Sequence, residues 1–511
     1  MQNTPPDKPS GDSNNAPGGA PGGSATSASH SGATTFTEAT TSTGAAYSST
    51  TGGENALLVT TGESTITDSV ITKSGDESSE SSDFYGTNAA ILATGGVLNI
   101  DGGIITTTGA HANGVFAYGD GKIVVKNTTI KTNNNNSGGI MVTGGGTLMA
   151  ENLTVETFGN SSAPIRSDRG GGTMTISGGS FTSTGVGSPA IYSTAEVYVK
   201  NGASLVSKSS EGVVIEGSNS VHLENITLTD TNNSLNGNSE TYKNIFIYQS
   251  MSGDAEEGTG TFSATNSVIT TNQGDTFFVT NTTANISLEN NRFANNDSAS
   301  VFLRAGAGKW GSSGNNGGHV KLSLNSQVVE GDIVLDSISS LSMSLLNSSY
   351  YMGAINSANT ATSATLSLDA TSQLILAGDT YLSEFTNADT SNQNVYSNGY
   401  KLYVAGSEVA INGSEIPETP EVVIEETPQV ENTQTVESAT VATQETNYTP
   451  FIVGGAAILV IIGAVIAFVI HNKKKTPPVP PASPKTPQTP PDFSQFDDGS
   501  ASNNGTTFPN Q

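Results

Sequence analysis

The sequence predicts an all-β fold, a right-handed parallel β-helix (solenoid), together with one transmembrane α-helix near the C-terminus. Two observations predict it: short apolar runs recur about every 25 residues, and residues 451–470 form one uninterrupted apolar stretch. The composition agrees. Charged residues make up 13% of the chain, well below the roughly 25% of an average domain, and Val, Ile, Leu and Thr are frequent. These residues favour strands over helices.

The repeat is visible in the apolar residues that lie at the centre of successive segments. The steps between them are about 25 residues, which is within the range of stacked repeats. The aligned residues are Ile91, Phe116, Ile140, Ile165 and Ile191. Two further short strands follow in each repeat, for example at 97–100 and 103–106. Three short strands broken by Gly or Asn indicate one coil of a β-helix, and we expect no helix between them.

The physical chemistry of such a coil predicts the roles of its residues. Alternate side chains point inward, where Ile, Val, Leu and Phe stack on their counterparts in the next coil. Asn and Gly are expected at the corners, where the backbone adopts positive φ. Roughly fourteen coils at about 4.8 Å each predict a rod on the order of 70 Å long. The runs around 251–260 and 306–318 are predicted to be insertions.

Changes in composition divide the chain into five parts. Residues 1–34 are expected to be a disordered, low-complexity N-terminus, and residues 35–410 the β-helix. Residues 411–450 are predicted to form an acidic stalk rich in Pro and Thr. Residues 451–470 are the predicted transmembrane helix, and residues 471–511 a disordered, basic and Pro-rich cytoplasmic tail that is either inert or a ligand for a proline-reading domain.

The apolar stretch predicts a single-pass membrane protein. Twenty residues without charge span about 30 Å as a helix, which matches the core of a bilayer. Lys473, Lys474 and Lys475 follow at once, so the tail is expected in the cytoplasm and the large N-terminal part outside the cell. The first residues lack the basic and apolar regions of a signal peptide. The alternative is therefore a cytosolic protein held by its C-terminal helix.

Charge and cysteine content exclude several functions. The net charge is −27, from 46 acidic and 19 basic residues, which argues against a nucleic-acid partner because such proteins present a basic face. The chain has no cysteine, which excludes disulfides, thiolate catalysis and cysteine-ligated metals. Five scattered histidines do not indicate a zinc site, and we expect no metal and no cofactor.

Four segments carry a resemblance to a known family. They are DFYGTNA (83–89), GVFAYGDG (114–121), IRSDRGGG (165–172) and IYQSMSGDA (247–255). Over about residues 54–405 the chain resembles the bacterial pectate-lyase-like right-handed β-helix surface proteins, which are often labelled adhesins. The resemblance implies an exported repeat protein that in many members is not catalytic. It does not imply a ligand.

The best candidate binding site is a charged cluster on the repeats. Carbohydrate-active enzymes with this fold need clustered carboxylates, often Ca²⁺, and an Arg or Lys base. The predicted ligand-binding residues are Arg166, Asp168, Arg169, Tyr192 and Glu216. Tyr192 is expected one coil beyond Arg166, and Glu216 one coil further, so that together they face a sugar. The alternative is a local ion pair that stabilises the turn at 169–172.

The spacing of the two acids argues against catalysis. Asp168 and Glu216 are expected two coils, or about 10 Å, apart, which is beyond the window of roughly 6.5–9.5 Å for inverting hydrolysis. We therefore predict a non-enzyme without catalytic residues. The GxGxxG match at 306–311 opens no predicted helix and is interpreted as a loop.

These observations predict adhesion or surface display. The expected partners are the lipid bilayer, through residues 451–470, and extracellular glycans or a host surface. Two alternatives stay open, namely a carbohydrate-active β-helix enzyme (a polysaccharide lyase or hydrolase) and a structural spacer without a specific ligand. A cleft of converging acids and arginines would favour the enzyme, and uniform Thr and Asn faces would favour the spacer.

Overall fold

The chain folds into a parallel β-solenoid of the right-handed type with about 15 turns. The computed structural model describes residues 28–78, 81–236 and 239–424. The predicted N-terminal region up to residue 27, the transmembrane helix at 451–470 and the tail at 471–511 lie outside the described residues. Within the described ranges, no helix combines the length and apolar character that a bilayer crossing requires.

Each of the first ten coils contributes three strands. In chain order, with one helix between the second and third coils, the elements are β1 (Gly32–Phe36), β2 (Thr41–Thr43), β3 (Ala46–Ser49), β4 (Asn55–Val59), β5 (Glu63–Thr67), β6 (Val70–Lys73), α1 (Ser81–Tyr85), β7 (Ile91–Ala93), β8 (Val97–Asp101), β9 (Ile104–Thr107), β10 (Val115–Tyr118), β11 (Lys122–Lys126), β12 (Thr129–Thr132), β13 (Ile140–Thr143), β14 (Gly146–Glu151), β15 (Thr154–Thr157), β16 (Ile165–Ser167), β17 (Gly172–Ser177), β18 (Ser180–Ser183), β19 (Ile191–Ser193), β20 (Glu196–Lys200), β21 (Ser204–Ser207), β22 (Val213–Glu216), β23 (Ser220–Glu224), β24 (Thr227–Asp230), β25 (Lys243–Tyr248), β26 (Thr259–Thr265), β27 (Val268–Thr271), β28 (Asp275–Thr280), β29 (Thr282–Glu289) and β30 (Arg292–Asn295).

The remaining coils are less regular. Their strands are β31 (Leu303–Ala305), β32 (Gly318–Asn325), β33 (Val328–Glu330), β34 (Ile333–Leu335), β35 (Ser340–Leu346), β36 (Tyr350–Met352), β37 (Ser363–Leu368), β38 (Gln373–Ile375), β39 (Thr380–Leu382), β40 (Glu384–Asn387), β41 (Val395–Tyr396), β42 (Leu402–Val404) and β43 (Ser407–Val409). The described strands therefore run from Gly32 to Val409, compared with predicted limits of 35 and 410 for the solenoid.

Three long sheets form the sides of the rod. The first sheet joins every third strand from β1 to β34, the second runs from β2 to β40, and the third runs from β3 to β30. A four-stranded sheet (β33, β36, β38, β41) and a three-stranded sheet (β39, β42, β43) complete the C-terminal coils. Strand pairs are parallel except for the hairpin of β42 and β43. The apolar core lies between the sheets along the rod, as the repeat predicted.

The register of the first sheet corrects one residue of the predicted repeat. The inward column contains Ile91, Val115, Ile140, Ile165 and Ile191. Phe116 pairs instead with Leu92 and Met141 and faces outward, where it packs in a second apolar cluster. The outward face is itself covered at this height, so Val115 and Phe116 are both buried. Because both positions are apolar, hydrophobicity could not separate the inward from the outward residue.

The covering element is the short helix α1, and its presence corrects the expectation that no helix lies between strands. Gly86 follows the helix with φ +72°, and a Cβ placed there would lie 2.7 Å from Leu92 Cδ1 and 2.8 Å from the Phe116 ring. Only glycine permits this approach. The Thr143 hydroxyl donates to the Phe84 carbonyl at 2.6 Å and holds the segment on the sheet. We refer to residues 81–90 as the helical segment.

Asparagines occupy the corners between the second and third sheets, which confirms the predicted use of positive φ. Asn127, Asn152, Asn201, Asn225, Asn266 and Asn290 all have φ between 48° and 59°. Their side chains also stack: the Asn152 amide donates to Asn127 Oδ1 at 3.1 Å, and the Asn290 amide donates to Asn266 Oδ1 at 2.7 Å. The short polar side chain of asparagine tolerates the left-handed backbone. It also forms a hydrogen bond with the corner asparagine of the adjacent coil.

A side chain interrupts the third sheet. Gln327 is buried, and its Oε1 accepts from the Asn291 backbone N–H at 2.8 Å while its Nε2 donates to the Asn291 carbonyl at 2.6 Å. The glutamine amide thus takes the place of a backbone partner between neighbouring coils. As a result β33 does not pair with β30, and the four-stranded sheet begins at this point.

The start of the predicted stalk lies along the rod. The Gly413 N–H donates to the Val395 carbonyl at 3.0 Å, and the Thr419 hydroxyl donates to Glu330 Oε1 at 2.7 Å. Val395 lies in β41 and Glu330 in β33, the two edge strands of the four-stranded sheet. Residues 410–424 therefore follow the side of the solenoid toward earlier coils. The predicted stalk residues 425–450 lie outside the described residues.

Candidate functional site

Long connections concentrate beside the first sheet. They include the helical segment, the connection before β25, and two loops between the first and second sheets at 249–258 and 306–317, here called the first loop and the second loop. The corners between the second and third sheets are in contrast only one to three residues long through most of the rod. The two loops coincide with the predicted insertions. Elaboration of one side predicts that this side carries the function.

The predicted cluster occupies the outward face of the first sheet. Arg166 pairs with Met141 and Tyr192 in neighbouring coils, so the outward column carries an arginine and a tyrosine where other coils carry apolar side chains. Asp168 follows Arg166 by two residues, and side chains two apart in a strand point to the same face. The sequence prediction of one shared face is therefore geometrically consistent with the register.

Arg166 lies in a buried ion-pair network. Its Nη2 donates to Asp168 Oδ2 at 3.2 Å, and its Nη1 lies 3.5 Å from Asp83 Oδ1 in the helical segment. The Arg166, Asp168 and Asp83 side chains are only 12%, 8% and 10% exposed. Asp83 also binds His111 Nδ1 at 2.8 Å. The helical segment therefore covers the arginine from the outside.

Arg169 joins two covering elements. Its Nε donates to Asp254 Oδ1 in the first loop. Its guanidinium carbon lies 3.9 Å from the centre of the Phe84 ring in the helical segment, which is cation–π geometry. One side chain thus connects the helical segment with the first loop. Its two partners, Phe84 and Asp254, are far apart in the sequence.

Glu216 is fully buried beneath the first loop. Its Oε2 accepts from the Tyr192 hydroxyl at 2.5 Å and from the Tyr248 hydroxyl at 2.9 Å. Its Oε1 accepts from the Ser250 hydroxyl. Three hydroxyl donors replace the water that this carboxylate would bind if it were exposed. A sugar could reach Glu216 only if the first loop moved.

Burial perturbs the acids of this site. Burial raises the pKa of Asp168 to about 7, although the nearby Arg166 guanidinium acts in the opposite direction. The nearby negative charges of Asp254 and Asp83 raise the pKa of Asp168 further. Burial likewise raises the pKa of Glu216 against the effect of its hydroxyl donors. The pKa of Tyr192 is well above its usual value because of burial and the Glu216 carboxylate.

The structure brings all five predicted residues onto the same side of the rod but divides them into two groups. Arg166, Asp168 and Arg169 form ion pairs, and Tyr192 and Glu216 share a hydrogen bond. Sequence reasoning missed the partners that cover them, which are Asp83, Asp254, Tyr248 and Ser250. Asp83 and Asp254 are acids within two of the segments that carry the family resemblance. For Asp254, its place within the predicted insertion at 251–260 was the available signal.

A second buried charge cluster lies at the corner between the third and first sheets. Lys243 Nζ binds Glu211 Oε1 at 2.9 Å, and the Lys243 side chain is 1% exposed. Asp230 is also buried, and burial raises its pKa to about 8, with a further increase from the Glu211 charge. Neither carboxylate oxygen of Asp230 accepts a hydrogen bond from the described residues. Among the described residues these charged side chains are buried, so we interpret the cluster as structural.

The two acids of the predicted site are buried on different coils. Asp168 and Glu216 lie two coils apart, and both are covered. In the described ranges, His, Asp and Glu side chains form no group of three or more suited to a metal ion. The GxGxxG match at 306–311 lies in the second loop and opens no helix, as interpreted from the sequence. What the geometry provides is a rigid side of the rod with two structured loops.

These features define the class of protein, which is an elongated parallel β-solenoid of about 15 turns whose insertions lie along its first sheet. No family model, no curated protein and no solved structure matches the chain.

Proposed function

We propose that this chain is a membrane-anchored rod displayed at the cell surface, where the loop-bearing side of the solenoid makes adhesive contacts with extracellular glycans or a host surface. The anchor is the apolar helix at 451–470, with Lys473 to Lys475 on its cytoplasmic side. The sequence resemblance to pectate-lyase-like adhesins is in keeping with this role.

One observation carries the proposal: the long connections lie beside the first sheet, whereas the second sheet has short corners and, in its later coils, a uniform outward column. In those coils the register aligns Ser263, Ser287, Ser323, Ser344 and Ser367. A repetitive Ser and Thr surface keeps a long rod soluble. Loops placed on a rigid scaffold are the usual location of binding residues. Recognition is therefore best assigned to the loop-bearing side.

A carbohydrate-active enzyme is the second candidate. Its support is the raised pKa of Asp168, about 7, because perturbed acids often mark active sites. It ranks below adhesion because Asp168 and Glu216 are covered by the helical segment and the first loop, and because each has protein partners for its oxygens. A pure spacer ranks third, since the serine column supports it but the structured loops do not.

The proposal is tested on intact cells that express the full chain with one tag before residue 28, outside the first strand, and another at the C-terminus. External protease should remove the N-terminal tag and spare the C-terminal tag. Cells that express the chain should also adhere to glycan-coated or host-cell surfaces more than cells that express a version lacking residues 35–410. Protection of the N-terminal tag would overturn the orientation, and equal adherence of the two strains would overturn the adhesive role.

A further inference from the structure

A polar cleft lies between the first loop and the second loop. It has a volume of about 400 Å³, and its lining includes Met251 and Glu257 from the first loop, Asn315 from the second loop, and Asn281 and His319 from the solenoid between and beside them. This is separate from the five residues predicted from sequence, none of which lines it. A volume of this size is within the range of small-ligand sites.

Hydrogen bonds hold both walls of the cleft. The Asn281 amide donates to the Gln249 carbonyl at 2.8 Å and ties the first loop to the solenoid. The Asn316 amide donates to the carbonyls of Gly308 and Trp310, both at 2.8 Å, and closes the second loop on itself. The Trp310 ring packs 5.3 Å from the Tyr248 ring. A cleft whose walls are already ordered loses less entropy when it binds a ligand.

The chemistry of the lining selects a ligand class. Amides and hydroxyls both donate and accept, and they match the hydroxyl groups of a sugar. Met251 is 65% exposed at the rim and offers an apolar surface for the face of a sugar ring. The lining contains no lysine or arginine, and its one carboxylate, from Glu257, disfavours anionic sugars. A neutral oligosaccharide satisfies all three features.

We propose that this cleft is the glycan-binding site of the protein and that it takes a neutral hexose or N-acetylhexosamine oligosaccharide. The inference rests on the proposed adhesive function and adds both the location and the ligand class. Glu257 accepts from sugar hydroxyls, Asn315 and His319 bind further hydroxyls, and Met251 packs against the ring.

The test applies the purified full chain in detergent to an array of neutral, uronic and sialylated oligosaccharides, followed by calorimetry with the best neutral sugar. Glu257→Gln, His319→Ala and Met251→Ala should each weaken binding about tenfold, the effect of losing roughly one hydrogen bond or ring contact. Glu224→Gln and Met149→Ala are the matched controls, because both residues are exposed on the second sheet outside the cleft and should leave affinity unchanged.

The outcomes separate this inference from the proposed function. Binding restricted to acidic sugars, no binding to any neutral sugar, or neutral binding that survives all three cleft substitutions would each overturn the cleft assignment. Adherence of intact cells would still support the adhesive role in those cases. If intact cells did not adhere but the purified chain still bound neutral sugars through the cleft, the proposed adhesive function would be overturned. The assignment of the cleft as a glycan-binding site would stand.

Discussion

The Tyr192 hydroxyl donates to Glu216 Oε2 at 2.5 Å, so a residue of one coil satisfies the buried carboxylate of the next. The same oxygen accepts from Tyr248 one coil further. Three consecutive coils are therefore linked on their outer face beneath the first loop. This link leads to the first prediction.

Tyr192→Phe should destabilise the solenoid by about 1–2 kcal/mol, because the buried Glu216 loses one donor and keeps the cost of its desolvation. Urea unfolding followed by intrinsic fluorescence measures the change. Tyr198→Phe is the control, since Tyr198 bonds Glu196 at the exposed surface and should change stability by less than about 0.5 kcal/mol. Equal changes in the free energy of unfolding for the two substitutions would show that the buried hydrogen bond to Glu216 stabilises the fold no more than an exposed one.

The second prediction concerns pH. The pKa of Asp230 rises from 3.8 to about 8 in the folded chain because of burial. Between these values the folded state holds a proton that the unfolded chain has released, so the contribution of Asp230 to stability falls as the pH rises toward 8 and is constant above it. Asp168, with a pKa of about 7, acts in the same direction.

Asp230→Thr should remove this dependence. In the register Asp230 lies between Ser207 and Thr271, so threonine fits the column. The variant should gain stability over the parent at pH 9 and much less at pH 5, as measured by thermal unfolding. Ser207→Thr changes a neighbouring position and keeps Asp230, so its difference in stability from the parent should be the same at pH 9 and pH 5. A gain for Asp230→Thr that is the same at both pH values would contradict the assigned pKa.

The third prediction concerns the first loop. Arg169 holds this loop through Asp254 and the helical segment through Phe84. Arg169→Gln should therefore increase hydrogen exchange of amides at 249–256 by about tenfold or more, equivalent to roughly 1.4 kcal/mol of local opening free energy. The second loop provides an internal control, because its closing bonds come from Asn316 and should be unaffected. Unchanged exchange at 249–256 would show that other contacts hold the first loop.

The Asp254→Asn substitution sharpens this test. Because Arg169 and Asp254 act as one pair, the double substitution should open the first loop little more than either single one. Additive effects would mean that the two residues stabilise the loop independently.

The fourth prediction concerns turnover. Incubated with uronic-acid polymers, the full chain should release no reducing ends and no unsaturated products, because Asp168 and Glu216 are covered and separated by two coils. Product formation is followed by absorbance and reducing-sugar assays. Asp168→Asn distinguishes the chain's own activity from a contaminant, and sustained release that this substitution abolishes would make the enzyme the better assignment.

The sequence by itself determined the repetitive part of the structure. Inward columns such as Ile140 and Ile165 follow from a period of about 25 residues, since each coil repeats the same inward positions. Corner asparagines such as Asn127 and Asn152 follow from their tolerance of positive φ. Both signals are local, and a solenoid is built from contacts between neighbouring coils.

Tertiary structure decided what departs from the repeat. The outward position of Phe116 depends on the helical segment that covers it, and a second apolar surface cannot be recognised from periodicity alone. Arg169 and Asp254 are 85 residues apart, and no spacing rule brings them together. The cleft likewise exists only because two insertions meet at neighbouring coils. Loops lack a period, so their partners are set by where the rigid coils place them rather than by their own sequence.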